Sequence, residues 1–237
     1  MHPVDRTYRG GIKSTSIEQA LVAAEAQVAA GHGLAGTRFW AAVAEVKTDD
    51  ELVERYADRI AAIDQAAFAQ WALLTMPKGL GTTLAFLGTA TGLVLIGVSY
   101  PLDGLAAVVA FYLGLGALLT STHALAHLIV GQILGIRFTG WFIASLTRPQ
   151  PGVKIDYESY LRTPAIRRAW MHASGAIVTK IIPFALVGAA IAAGLPTWAV
   201  LGLVVIGIVT IVTDVLWSTT GSDWMKYRRE MKFAQTS

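Results

Sequence analysis

The stretch that decides the fold is GLAAVVAFYLGLGALLTSTHALAHLIVGQILGI, residues 104–136, which contains no Asp, Glu, Lys or Arg. A helix needs about 20 residues to cross the hydrocarbon of a bilayer, and this run is longer than that. In the whole chain 54% of the residues are hydrophobic and 15% are charged, whereas roughly a quarter are charged in soluble domains. The stretch therefore predicts a membrane-spanning helix, and the composition predicts a membrane protein.

Three further apolar runs are long enough to cross a bilayer, at residues 81–99, 169–194 and 197–217. The first two spans are joined by the short link YPLDG, and the last two are joined by GLPT. Each pair is therefore predicted to form a helical hairpin. We expect an all-α membrane protein with about four transmembrane helices in two hairpins.

The polar parts of the chain lie outside these spans. Residues 1–80 are predicted to form a helical N-terminal region, and residues 81–237 a membrane domain with a connecting loop at 137–168. The helix signals are capping patterns at Ser16 and at Thr48 with Glu51. In the loop, PG is a turn signal and VKIDY alternates as a short strand does, which predicts a small β element.

Lysine and arginine indicate the orientation. Eight of the 19 precede residue 81, six lie within 137–168, four follow residue 217, and the two hairpin links contain none. Because positively charged loops remain in the cytoplasm, both termini and the central loop are expected there. The same distribution favours the lipid bilayer as the partner of these charges. It does not suggest nucleic acid, because the basic residues follow the membrane edges.

His123 and His127 lie four residues apart in the second span, within STHALAHLIVGQILG. Side chains at positions i and i+4 are neighbours on one helix face, so the two imidazoles can converge on one ion. An ionisable residue within a span costs roughly 2.5–3.5 kcal/mol on insertion scales and usually has a partner. The pair alone also suits hydrogen bonds between helices or ligation of haem, and the sequence leaves these alternatives open.

A third ligand is expected from Asp214 in the fourth span, which lies at a depth similar to that of the histidines. Asp223, just beyond the span, is the alternative, and Asp214 is preferred for its depth. Two imidazoles and one carboxylate with an open fourth position are typical of catalytic zinc. The sequence thus predicts a site for zinc, or for another divalent metal, at His123, His127 and Asp214.

Two more ionisable residues lie within the third span. His172 is close to its cytoplasmic start and fits a residue that lines or caps the bundle as well as it fits a ligand. Lys180 is near the middle, where its side chain is too deep to reach the interface easily. Lys180 is expected to neutralise a carboxylate or to face a wet cavity.

Three segments carry a resemblance to a known family. THALAHLIVGQILGIRF is similar to the family's HExxH helix and to the strand-forming stretch that follows that helix. RTPAIRRAWMHASGAIVTK is similar to a segment with an AGPxxN-type pattern, with Ser174, Gly175 and Ala176 in place of AGP and Thr179 in place of the asparagine. TDVLWSTTGSDW stands where the family has its aspartate ligand. Over residues 104–229 the chain resembles the site-2 proteases, which are intramembrane zinc metallopeptidases.

The resemblance implies a transmembrane or juxtamembrane protein segment as substrate or client. It also implies that a small sheet in the central loop presents an edge to that segment. The glutamate that acts as general base in the family is replaced here by Ala124, which has no proton acceptor. Such bases contribute roughly 10²- to 10⁴-fold, so peptide hydrolysis should be severely slowed. Ala124 is either natural, in a scaffold with lost or altered chemistry, or an introduced substitution.

Two other classes of function are compatible with the sequence. One is a non-catalytic multi-pass membrane protein that binds haem or lipid or serves as a scaffold. The other is a transporter that uses Lys180, Asp214 and the histidines as an ion relay, although four spans are few for this and no inverted repeat is present. The client and the oligomeric state are left open. The chain has no cysteine, which excludes disulfides and thiolate ligands.

Overall fold

The computed structural model describes residues 4–145, 148–216 and 222–236. The secondary-structure elements follow one another in this order: α1 (Val4–Ala29), α2 (Phe39–Val46), α3 (Asp50–Trp71), β1 (Leu74–Pro77), α4 (Lys78–Ser99), α5 (Gly104–Ile133), β2 (Phe138–Ser145), β3 (Arg148–Ile155), α6 (Tyr157–Arg162), α7 (Ala165–Ala185), α8 (Val187–Ala192), α9 (Thr197–Leu216) and α10 (Asp223–Thr236).

Among the described residues, four helical segments are long and apolar enough to cross a membrane: α4, α5, α7 together with α8, and α9. Their outer faces carry large apolar side chains, such as Leu87, Leu105 and Leu201, that are more than half exposed. Such faces are stable against lipid chains and unfavourable in water. The prediction of an all-α membrane protein with four spans in two hairpins and a small β element is confirmed.

The third span is interrupted between α7 and α8. Pro183 lies inside α7, and α7 ends two residues later, at Ala185. Proline lacks the N–H that continues a helical ladder, and its ring crowds the preceding turn. The break shortens the continuous helix that carries His172 and Lys180 and leaves a separate turn of helix before the GLPT link.

The N-terminal helices pack around their own apolar core, which includes Leu21, Val46 and Ile60. Leu161 of α6 joins this core, so the N-terminal region is packed against the central loop. The capping predictions are corrected in two places. α1 begins ahead of Ser16, and the cap of α3 is Asp49, whose side chain accepts a hydrogen bond from the backbone N–H of Glu51 at 2.9 Å.

The sheet has three antiparallel strands in the order β1–β2–β3. β1 was predicted to be helical, and the structure corrects this. Trp141 of β2 fixes the sheet to α4, because its ring covers Gly81, where a Cβ would lie 2.3 Å from the ring, and its Nε1 donates to Thr82 at 3.1 Å. Within the described residues no strand pairs with the outer edge of β3.

Candidate metal centre

His123 and His127 lie on one face of α5 near its C-terminal end, as their spacing predicts. The Nε2 atoms of the two rings are 3.3 Å apart. The rings meet edge to face, with centroids 4.8 Å apart. His127 is buried and His123 is partly buried, so the two nitrogens converge at the edge of the packed interior.

The carboxylate that joins the two histidines is Asp223, the first residue of α10. Its Oδ2 atom lies 3.0 Å from Nε2 of His127 and 3.1 Å from Nε2 of His123. Three ligand atoms from three side chains therefore form a small triangle. Among the described residues, this is the one cluster of three or more such side chains with metal-binding geometry.

Asp214, the expected third ligand, lies elsewhere. Its carboxylate pairs with the ammonium group of Lys180 on α7, and this ion pair neutralises both charges within the bundle. The preference for Asp214 assumed that the third ligand would come from the same depth of a continuous span. Instead the chain continues past α9 and α10 packs against α7, which carries Asp223 to the histidines. Asp223 therefore replaces Asp214 in the candidate site.

A backbone carbonyl fixes the tautomer of His127. Its Nδ1 atom lies 2.8 Å from the carbonyl oxygen of Met171 on α7. Because a carbonyl oxygen only accepts, Nδ1 must carry a proton. The same carbonyl accepts a hydrogen bond from the hydroxyl of Ser174 at 2.7 Å. Contacts of this kind orient metal-binding histidines in proteins, and here they direct Nε2 of His127 toward Asp223.

Gly175 gives the ring of His127 the space it occupies. A Cβ at position 175 would stand 2.4 Å from Nε2 and 2.7 Å from Cε1 of His127. Any larger residue would displace the imidazole from the cluster. The sequence places Gly175 in the second family-like segment, and the structure supplies a physical reason for a glycine there.

Three groups with lone pairs thus face one another at hydrogen-bond distance. With its proton on Nδ1, a neutral His127 presents a bare Nε2, and the ionised carboxylate of Asp223 offers only acceptor oxygens. One proton between two of these atoms leaves the third unsatisfied, and a second proton that satisfied all three would require His127 to be an imidazolium. A divalent cation at the centre of the triangle would satisfy all three.

The edges of the triangle are close to those of a zinc site. Zinc binds nitrogen and carboxylate oxygen at about 2.0–2.2 Å with tetrahedral angles, so its ligands are roughly 3.3–3.5 Å from one another. The edge between the two histidines is 3.3 Å, and the two edges to Asp223 are slightly shorter, at 3.0 and 3.1 Å. A small outward shift of Asp223 would let His123, His127 and Asp223 hold a divalent metal.

The charge of Asp223 also suits a cation. Burial acts to raise the pKa of its carboxyl group, but the contacts with His123 and His127 and the charge of Lys226 lower the pKa far more, to well below its usual value. Nζ of Lys226 lies 3.1 Å from Oδ1 of Asp223, so one oxygen is held by the lysine while the other faces the histidines.

A cavity of about 350 Å³ opens in front of the cluster. Ala124 lies in its wall beside the three candidate ligands. Five residues of β3 also line the cavity, Gln150, Pro151, Gly152, Val153 and Ile155. Residues of β3 and the candidate metal ligands thus border one space.

His172 lines the same cavity but is engaged by another residue. Its Nε2 atom lies 2.8 Å from the hydroxyl of Tyr160 in α6. The structure brings His172 close to the site as a wall residue and does not include it among the three clustered ligands. Met171, Gly175 and Lys226 were not singled out as site residues by sequence reasoning. Met171 and Gly175 both lie in the second family-like segment, and only Gly175 stands at one of its motif positions.

Comparison of the sequence with models of protein families found no match, and neither did searches of curated proteins or of solved structures.

Proposed function

We propose that this chain is a membrane-embedded metalloprotein whose peptidase-type zinc site is formed by His123, His127 and Asp223. The observation that carries the proposal is the convergence of three lone-pair donors at 3.0–3.3 Å, with Nδ1 of His127 committed to a backbone carbonyl. Zinc in such a site lowers the pKa of a bound water and polarises carbonyl groups. The protein supplies the orientation of the ligands and the cavity.

We propose kinship with the site-2 proteases on the basis of this ligand set. The resemblance implies the two histidines and an aspartate of TDVLWSTTGSDW as ligands, and the aspartate that lies beside the histidines is Asp223. Ala124 supplies no proton acceptor, so this chain binds a client segment and hydrolyses it slowly or not at all. The client is a transmembrane or juxtamembrane segment in extended form.

β3 is the element best suited to receive that segment. Its outer edge is unpaired within the described chain, and five of its residues border the cavity. An added strand would satisfy the backbone groups of this edge and lay a peptide bond in front of the centre. From the distribution of lysine and arginine we propose that this end of the bundle, with both termini, lies on the cytoplasmic side.

Elemental analysis of the protein purified in detergent tests the proposal. We expect about one zinc per chain, loss of the metal in His127→Ala, and binding in Asp223→Ala that is weak enough to be lost on dialysis. Two imidazoles and one carboxylate also suit Fe²⁺, so iron in place of zinc would redirect the proposal to a different reaction class. Absorption typical of haem, or no bound metal after incubation with zinc and dialysis, would refute it.

A further inference from the structure

A buried cluster of charges connects the N-terminal region with the helix that supplies Asp223. Glu230 of α10 is fully buried. Its Oε1 accepts a hydrogen bond from Nζ of Lys47 at 2.6 Å, and its Oε2 accepts one from Nε of Arg168 at 2.8 Å. Lys47 follows α2, and Arg168 lies near the start of α7. One carboxylate thus holds together three separate parts of the chain.

Lys47 is enclosed at this contact and remains ionised at neutral pH. Its ammonium lies 4.8 Å from the ring centroid of Tyr160 and 5.6 Å from that of Phe233. Burial lowers the pKa of Lys47 to about 8, and the neighbouring Glu230 limits the decrease. Lys47 is therefore a buried cation from the N-terminal region that contacts the C-terminal helix α10.

Glu230 and Asp223 lie on the same face of α10. They are seven residues apart, which is about two turns of an α-helix. Asp223 is the first residue of the helix, so its position depends on how α10 is docked. The helix packs mainly on α7, where Trp170 and Tyr227 stack edge to face at 5.8 Å.

We propose that Lys47 is a positioning residue for the metal centre: by holding Glu230, it keeps α10 docked with Asp223 against the two histidines. The N-terminal helical region thereby sets the affinity of the site for its metal. This inference rests on the proposed metal site. In addition, the position of Asp223 depends on Lys47, which does not line the cavity.

Removal of Lys47 should weaken metal binding through Asp223. In Lys47→Met, Oε1 of Glu230 is left buried, with Nε of Arg229 at 3.8 Å as its next cation. A buried carboxylate that has lost its nearest cation favours undocking of α10. We expect the dissociation constant for zinc to rise about 5- to 150-fold, the usual range for coupling between sites, toward the value for Asp223→Ala.

A matched control is available at a second buried ion pair of the N-terminal region. Lys154 of β3 pairs with Asp64 of α3, and both side chains are about nine-tenths buried. Asp64→Asn breaks this buried pair from its N-terminal side and changes neither α10 nor β3. Its dissociation constant for zinc should equal that of the wild type.

The decisive measurement is a double-mutant cycle in the full-length protein in detergent. Zinc affinity is measured by competition with a chromophoric chelator for the wild type, Lys47→Met, Asp223→Ala and the double variant. If Lys47 acts through Asp223, Lys47→Met has no further effect in the Asp223→Ala background. An equal loss of affinity in both backgrounds would overturn the inference, because Lys47 would then act on the fold as a whole.

A measurement on the wild type covers the case in which Lys47→Met does not fold. Coupling is reciprocal, so zinc must stabilise the contact between Lys47 and α10 as much as that contact stabilises zinc. Amide exchange at the end of α2 and in α10 should slow when zinc is added, and His127→Ala should abolish the change. Unchanged exchange in the wild type would contradict the inference.

The outcomes separate the inference from the function on which it rests. Zinc binding by the wild type with unchanged affinity in Lys47→Met would refute the positioning role and leave the metal site intact. A wild type that binds no divalent metal would refute the proposed function and the positioning role together.

Discussion

Gly175 of α7 lies directly against the imidazole of His127 on α5, so closely that an added Cβ would stand 2.4 Å from Nε2. The contact lets the two spans approach and directs the ring at Asp223. The position of His127 therefore depends on two features of α7, the absent side chain at 175 and the carbonyl of Met171.

Substitution of Gly175 by alanine should abolish the metal centre. The methyl group would force the ring of His127 away from Asp223, and a ligand displaced in this way leaves two weakly held donors. We expect at least a tenfold loss of zinc affinity, within the range seen when the groups around metal ligands are disturbed. Gly116→Ala on α5 is the control, since a Cβ there meets nothing within 4 Å. Full zinc binding by Gly175→Ala would refute this account of His127.

On the proposed function, a carboxylate introduced at position 124 should create peptidase activity. Ala124 lies in the wall of the cavity next to the candidate ligands. Ala124→Glu would place a carboxylate where it can take a proton from water, an effect of roughly 10²- to 10⁴-fold. Cleavage of fluorescein-labelled casein in detergent, with zinc present, measures it. Ala124→Gln has the same shape without the base and should remain inactive. Equal rates in the two variants would argue against peptidase chemistry.

The ion pair between Lys180 and Asp214 should matter for stability and not for metal binding. Asp214→Asn leaves the ammonium of Lys180 unpaired within a span, at a cost of roughly 2.5–3.5 kcal/mol. We expect a lower denaturation temperature in detergent with one zinc still bound. Replacing both residues, as in Lys180→Met with Asp214→Leu, should restore stability, because no lone charge remains. Loss of zinc in Asp214→Asn would indicate that Asp214 is a metal ligand after all.

The lowered pKa of Lys47 should make the free energy of unfolding depend on pH. Burial lowers its pKa from 10.5 to about 8 in the folded protein. Between these values the unfolded chain binds a proton that the folded chain has released, so the free energy of unfolding rises with pH. The rise is at most roughly 3 kcal/mol, at 1.36 kcal/mol for each pH unit. We therefore expect the free energy of unfolding of the wild type, minus that of Lys47→Met, to increase from pH 7.5 to 10.5. Denaturation in detergent measures it. A constant difference would contradict the lowered pKa.

The spans and the histidine pair could be predicted because they depend on local patterns. Apolar length identifies a membrane helix, and the spacing of His123 and His127 places them on one face whatever surrounds them. The same argument could not give the third ligand. Depth within a span favoured Asp214, but Asp223 reaches the histidines through the docking of a separate helix, which is a long-range contact without a periodic signal.

The charged cluster behind the site was also beyond local reasoning. Lys47 and Glu230 are 183 residues apart. Glu230 lies in the segment KYRREMK, whose basic and aromatic residues predict an interfacial helix. Its one carboxylate stands among four basic residues, and no local pattern shows that it is buried. Tertiary packing, and not composition, decides which of these charges is enclosed.

X-ray absorption at the zinc K-edge tests the ligand set most directly, with wild type, Asp223→Asn and Asp214→Asn compared. We expect two imidazole nitrogens and one carboxylate oxygen at about 2.0–2.2 Å in the wild type. Asp214→Asn should give the same spectrum, whereas Asp223→Asn should lose the oxygen ligand or the metal. A wild-type spectrum without two imidazoles, or one that changes in Asp214→Asn and not in Asp223→Asn, would contradict the assignment of His123, His127 and Asp223.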